Sequence, residues 1–180
     1  RADLYFMKQR ILQFFYGLTA HLRERDHAFV RRFLNEKERT LFYAMDVVDQ
    51  RHAVHTAYTA LELARGKAGI DETFLARLAL LHDVGRVKGD LGLWGKVAVV
   101  LLAHFLPRFS RRRAALSRAG AFGFLRHALY VYYHHAEIGS EKLRLAGCDR
   151  EASVIRLHHS PPAASDSAEL CLLRQADSRN

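Results

Sequence analysis

This sequence predicts an all-α, single-domain fold, and three observations support that. Apolar residues recur mostly at three- and four-residue spacing, the period of a helix with one buried face. Only three prolines and eleven glycines interrupt the 180 residues, and no convincing run alternates in the manner of a strand. With 49% hydrophobic and 26% charged residues, the chain has the composition of an ordinary globular protein, long enough to bury a core without staples.

In chain order, an amphipathic helix is expected over residues 4–22, with Phe14, Phe15 and Tyr16 supplying bulk, and a short one around residues 27–34. Asn35 and Glu38 have the spacing of an N-cap and capping box for a third helix, over residues 36–45. Residues 1–48 therefore read as a helical scaffold whose aromatics pack the core. Asp49 reads as the N-cap of a strong helix over residues 50–65, on which His52, Thr56, Thr59 and Leu63 share a face and His55 lies one turn beyond His52. Asp71 reads as the N-cap of the next helix, which runs through Phe74, Leu75, Leu78 and Leu81 into His82 and Asp83.

Residues 91–136 hold no acidic residue, yet carry Lys96, Arg108, Arg111, Arg112, Arg113, Arg118 and Arg126. Their apolar part, residues 97–106, is shorter than the ~20 residues a bilayer-spanning helix needs, and Pro107 is expected to end it. Two readings of this segment stay open. It is a helical insertion with a solvated basic edge, or a lid or interfacial surface built from Trp94, Val97, Leu101, Leu102, Phe105 and Leu106 with the Arg111-Arg112-Arg113 cluster. Tyr130, Tyr132 and Tyr133 then lead into His134-His135, Gly139 follows, and a separate helix is expected over residues 140–145. Asp149 reads as the cap of a helix over residues 150–157, which delivers His158-His159 ahead of Ser160-Pro161-Pro162. A last helix over residues 165–176 brings Asp177 close to the C-terminus.

A net charge of +9 points to an anionic partner: a phosphate-bearing metabolite, nucleic acid, or an anionic membrane contacted peripherally. No nucleic-acid recognition signature accompanies it. Cys148 and Cys171 match no zinc or catalytic spacing and read as reduced thiols of a cytoplasmic protein, and the first residues carry no signal-peptide pattern.

The stretch that asks for chemistry is Leu78-Ala79-Leu80-Leu81-His82-Asp83-Val84-Gly85-Arg86. An aspartate buried behind such an apolar run costs several kcal/mol unless a cation or hydrogen bonds compensate, and a divalent metal is the obvious partner. Gly85 is expected to stop the helix in a left-handed conformation. His52, His82-Asp83, His135, His158-His159 and Asp177 each sit on a helix or at its end after an apolar stretch that aims them inward. Imidazole and carboxylate ligands without cysteine suit iron or manganese, with zinc, magnesium and nickel as further candidates.

In these residues the chain resembles the HD superfamily of metal-dependent phosphohydrolases. His52-Ala53 with Thr56, Ala57, Ala60, Leu63 and Ala64 is similar to the family's first-ligand helix, and His82-Asp83-Val84-Gly85 to its name-giving motif. His135 with Gly139, the pair His158-His159, and Ala176-Asp177 resemble the remaining elements of the two-metal branch. Arg86 stands where members often carry lysine, and the Gly-Tyr-Pro signature of the cyclic-di-GMP-degrading branch is missing. The resemblance implies an HD-type helical bundle over residues 49–180, with an insertion at about 91–133 and a metal site at its centre. It implies two divalent ions, one held by His52, His82, Asp83 and Asp177, the other by His135, His158 and His159 with Asp83 bridging. It further implies hydrolysis of a phosphomonoester or phosphodiester, nucleotide-like in character, by a metal-bridging hydroxide, with Arg86 on a phosphate oxygen and His55 as candidate proton donor to the leaving group. An HD-fold di-iron oxygenase, with a similar ligand set, and a non-catalytic binding module are the alternatives.

Overall fold

A computed structural model describes residues 21–89, 93–120 and 122–180, apart from the side chains of Leu93, Trp94, Lys96 and Val97. Nine helices and no strand occur among the described residues, which are therefore all-α. They are α1 (Glu24–Phe33), α2 (Glu36–Tyr43), α3 (Val47–Ala64), α4 (Glu72–Leu81), α5 (Leu93–Phe105), α6 (Pro107–Arg113), α7 (Gly123–Leu145), α8 (Asp149–Ile155) and α9 (Ala168–Asp177). The helix expected over residues 4–22 lies outside the described residues except for its last two positions, which are not helical.

Two compact units emerge, one of residues 22–87 and 134–180, the other containing residues 88–133. The first is organised around α4, which packs against α3, α9, α8, α1 and α2. Leu75, Leu78, Leu80 and Leu81 are fully buried, each contributing about 1.5–3 kcal/mol relative to exposure. Close approach of α3 to α4 follows from the small residues Ala53, Ala57, Ala60 and Ala64, all buried and spaced four, three and four apart along α3. Because α4 is buried on all sides, whatever follows its last turn is delivered into the interior.

Capping residues set the helix starts. Asn35 accepts from the Glu38 N–H at 3.0 Å while Glu38 Oε2 accepts from the Asn35 N–H at 2.8 Å, completing the expected capping box. Asp71 accepts from the Phe74 N–H at 2.9 Å. The other oxygen of Glu38 accepts from Arg77 on α4 and from the Cys148 thiol at 3.5 Å, and Arg77 also meets Glu151 at 2.9 Å. One buried carboxylate thus caps α2 and cross-links it to α4 and the start of α8. Burial and then Glu38 push the Cys148 thiol up to about 11, whereas Cys171 is exposed on α9.

Several boundaries differ from the sequence reading: Asp149 lies inside α8, whose N-cap is Cys148, and α9 starts at Ala168 behind Ser167 and not at residue 165. Helix α3 begins at Val47, leaving Asp49 inside its first turn as a buried carboxylate. Pro107 ends α5 but also opens α6, since an N1 position requires no N–H. Gly139 does not separate two helices, because α7 runs through it without a break.

In the second unit, Val99 of α5 and Ala128 and Leu129 of α7 form a small core, with Leu102, Leu125 and Tyr132 packed on it. Its α6 is tied down by the Ser110 hydroxyl, 2.6 Å from the Tyr133 hydroxyl. No helix among the described residues is long and apolar enough to cross a membrane.

Candidate metal centre

Helix α3 carries His52, the turn after α4 carries His82, Asp83 and Arg86, and α7 carries His135. The turn after α8 carries His158 and His159, and α9 ends on Asp177. The structure gathers all eight side chains within the first unit, six of them as two groups able to hold a metal ion. In each of the triads His52/His82/Asp177 and His135/His158/His159, the ligand atoms lie within 4.8 Å of one another.

Close backbone approach makes this possible. Gly85 does not adopt the left-handed conformation expected of it. A Cβ there would lie 1.9 Å from the His135 carbonyl oxygen, and one on Gly139 would lie 3.1 Å from the Gly85 nitrogen. The two glycines let the His82–Arg86 turn lie directly on α7, which explains why α7 tolerates Gly139 in mid-helix. Lys142, one turn beyond Gly139, donates to the Val84 carbonyl at 2.9 Å and secures the same turn.

The imidazoles are oriented by their far nitrogens. Nδ1–H of His82 donates to the Ala79 carbonyl at 2.8 Å, and Nδ1–H of His158 to the Ile155 carbonyl at 2.6 Å, each three residues back. Both rings therefore turn Nε2, the nitrogen at which a proton or a metal can bind, into the cluster. His52 Nε2 lies 2.9 Å from Asp177 Oδ1, and His82 Nε2 lies 3.6 Å from that oxygen and from Asp83 Oδ2. Asp83 Oδ1 faces the other triad, 3.4 Å from His135 Nε2. Arg86 Nη2 and His159 Nε2 crowd the same nitrogen at 3.3 and 2.8 Å, while Arg86 Nη1 meets Asp83 Oδ2 at 3.0 Å.

Burial opposes a proton on His82, yet the Asp83 and Asp177 carboxylates outweigh it and raise its pKa to about 9. Burial would also raise both carboxylates. Arg86, His82 and His135 instead hold Asp83 well below the usual range, and His52 and His82 do the same for Asp177. In the other triad burial wins, lowering His158 to about 3 with help from His82 and His159, and lowering His135 with help from Arg86.

These residues fit divalent cations. The buried atoms His82 Nε2, Asp83 Oδ1 and His158 Nε2 have no hydrogen-bond partner although all three point into the cluster, and a buried polar atom left so costs about 1–3 kcal/mol. Imidazole nitrogens with lone pairs and a carboxylate converging on one point are what a borderline cation requires.

The structure does not bring His55 into this arrangement. It is exposed on α3, and burial and then Arg51 lower its pKa. His134 is also exposed. Two contributors escaped the sequence reading. Asp49 lies 3.9 Å from Arg86, and its position three residues before His52 on a helix was the available signal. Lys142 could have been found from its i+3 spacing to Gly139. A further buried group, Glu38/Cys148/Glu151, also has metal-ligand geometry, but Arg77 already supplies its cation.

Fold and site together define an all-α protein with two adjoining histidine-rich groups that share one aspartate. No protein-family model, curated protein or solved structure matches the chain.

Proposed function

We propose that this protein is a metal-dependent phosphohydrolase of the HD type, cleaving a phosphomonoester or phosphodiester, nucleotide-like in character, with two divalent cations, iron or manganese first among them. The observation that carries this reading is Asp83, whose two oxygens face different histidine triads, Oδ2 at 3.6 Å from His82 and Oδ1 at 3.4 Å from His135. A carboxylate so placed could contribute to two cation sites. His52, His82 and Asp177 would complete one set, and His135, His158 and His159 the other. Bound cations at such a pair of sites neutralise phosphate oxygens and lower the pKa of water towards neutrality.

The chain's own part is positional. Ala79 and Ile155 fix the imidazole tautomers, Lys142 and the Gly85 contact hold the Asp83 turn, and Arg86 supplies a guanidinium able to take two phosphate oxygens. Arg86 also favours hydrolysis over oxygenase chemistry on the same ligand types, because an anion-binding fork beside the cluster suits a phosphate.

The decisive experiment combines metal analysis of the purified protein with anaerobic phosphate release from a nucleotide panel in the presence of Mn2+. Two equivalents of metal and oxygen-independent turnover are expected. Oxygen consumption without phosphate release would transfer the protein to the di-iron oxygenases. Absence of bound metal, with no thermal stabilisation by Mn2+, Fe2+ or Zn2+, would leave a non-catalytic module.

A further inference from the structure

Residues 105–124 concentrate exposed apolar surface. Of the large hydrophobic residues exposed among the described positions, Phe105, Leu106, Phe109, Leu116, Phe122 and Phe124 fall in this one segment, which scattered surface leucines would not do. It lies inside the acid-free stretch 91–136, and Arg108, Arg111, Arg112, Arg113, Arg118 and Arg126 are interleaved with it.

Hydrogen bonds to backbone carbonyls hold part of this segment together. The Ala115 N–H donates to the Arg126 carbonyl at 3.0 Å, Arg126 Nε to the Arg113 carbonyl at 3.4 Å, and His127 Nδ1 to the Leu116 carbonyl at 2.8 Å. Together they bind the end of α6 and the loop beyond it to the start of α7. The Arg113 guanidinium lies over the Phe109 ring, 5.2 Å from its centroid, so a basic and an exposed apolar side chain of α6 lie side by side. Of the surface expected from sequence, Leu101 and Leu102 are half-buried, Phe105 and Leu106 are exposed, and the side chains of Trp94 and Val97 lie outside the described residues.

We infer that this surface docks on an anionic lipid bilayer, with the apolar side chains entering the headgroup–acyl boundary and the arginines pairing with lipid phosphates. Its chemistry chooses this partner over others. Phe122 and Leu116 expose 73% and 67% of their surface, so they protrude and do not line a groove that a protein helix would fill. Nucleic acid would engage the arginines but gain nothing from Leu106 and Leu116. A bilayer rewards both, through apolar insertion and attraction of basic residues to anionic headgroups. Attachment through arginines at the headgroup level is salt-sensitive.

The test is co-sedimentation of the full chain with phosphatidylcholine vesicles, with and without phosphatidylserine, at low and high salt. Two variants are compared with the unmodified chain: Arg108→Gln/Arg112→Gln/Arg113→Gln, and Leu106→Ser/Phe109→Ser/Phe122→Ser. Thermal melting and metal content check that each remains folded. Binding only to phosphatidylserine vesicles is expected, lost in high salt and weakened about fivefold per arginine removed, or roughly a hundredfold in the charge variant. The apolar variant should also bind more weakly at low salt. Absence of binding at low salt would overturn the inference. So would unchanged binding by the apolar variant, or a single-stranded oligonucleotide that displaces the protein from vesicles and is retained equally by the apolar variant.

Discussion

The two histidine triads contain similar groups but have opposite preferences for charge. His52, His82 and Asp177 share their environment with Asp83, and His82 is drawn up to about 9 because the carboxylates outweigh its burial. His135, His158 and His159 have no carboxylate within their own triad and lie beside the Arg86 guanidinium, and burial drives His158 down to about 3. The first triad attracts a cation of any kind, a proton included. The second stays neutral and offers lone pairs. The difference shows that one cluster of imidazoles can hold an electrostatic sink next to a proton-free ligand set, provided a single aspartate is shared between them.

Removing that shared residue should produce the largest change. Asp83→Asn is expected to lower phosphate release by about 10²–10³-fold and to reduce metal content in both triads, whereas His52→Ala and His158→Ala should each mainly deplete one. Metal analysis of the three variants provides the check, and two full equivalents in Asp83→Asn would break the picture of a shared ligand. Next comes Gly85→Ala, where the new methyl group meets the His135 carbonyl. A loss of about 3 kcal/mol in unfolding free energy is expected, together with metal loss from both triads, since the turn must lift off α7. Denaturant unfolding with and without Mn2+ measures it.

The metal-free protein should respond to pH in two opposite ways. His82 has a folded-state pKa near 9, above the ordinary 6.5, so its contribution is complete below about 6.5 and fades as the pH rises through 9. His158 sits near 3, so the unfolded chain takes up a proton that the folded one refuses, and stability falls as the pH drops from 6.5. Asp83 and Asp177, depressed in the folded state, add to that loss only once the pH enters the usual carboxylate range. A melting temperature that peaks near pH 6.5 without metal, and whose alkaline fall is removed by Mn2+, is the expected profile. A flat profile would remove the distinction between the triads.

Smaller effects are expected at the edges of the cluster. Arg86→Lys should retain more turnover than Arg86→Ala, with the gap widening as substrate charge increases, because a point charge replaces part of a bidentate contact. His55→Ala, at an exposed position outside the cluster, should change turnover less than about threefold, below the 10²–10⁴ of a general acid. A larger loss, with an altered pH–rate profile, would restore His55 as the proton donor.

Local signals in the sequence were legible where the physics is local. Asn35 and Asp71 are caps in the structure because an oxygen three residues before an amide suffices to start a helix, and α4 is buried because its apolar residues cover every side. The convergence of seven of the side chains is legible because each lies on a helix or at its end after an apolar stretch that must point inward, while the place of Arg86 beside them follows only from the resemblance. Features that depend on contacts between distant segments were hidden. The helix start expected after Gly139 is absent because α7 runs through that glycine, whose role is to admit the Gly85 backbone. Asp49 was read as a cap, since nothing local reveals that Arg86 lies opposite it. The Glu38, Arg77 and Glu151 network joins positions 39 and 74 residues from each other in sequence, beyond the reach of any periodicity.

The contrast between the two thiols gives the protein a built-in spectroscopic handle. Cys148 is buried against Glu38 with its pKa near 11, so it presents almost no thiolate at neutral pH, while Cys171 is exposed. A maleimide nitroxide would therefore attach at Cys171 alone, without mutagenesis. Cys171 precedes Asp177 by six residues on the same helix, roughly 9 Å of axial rise. A paramagnetic ion taken up beside Asp177 would shorten the relaxation time of that label, so occupancy of one triad could be followed by electron spin resonance while the other is loaded with a diamagnetic ion.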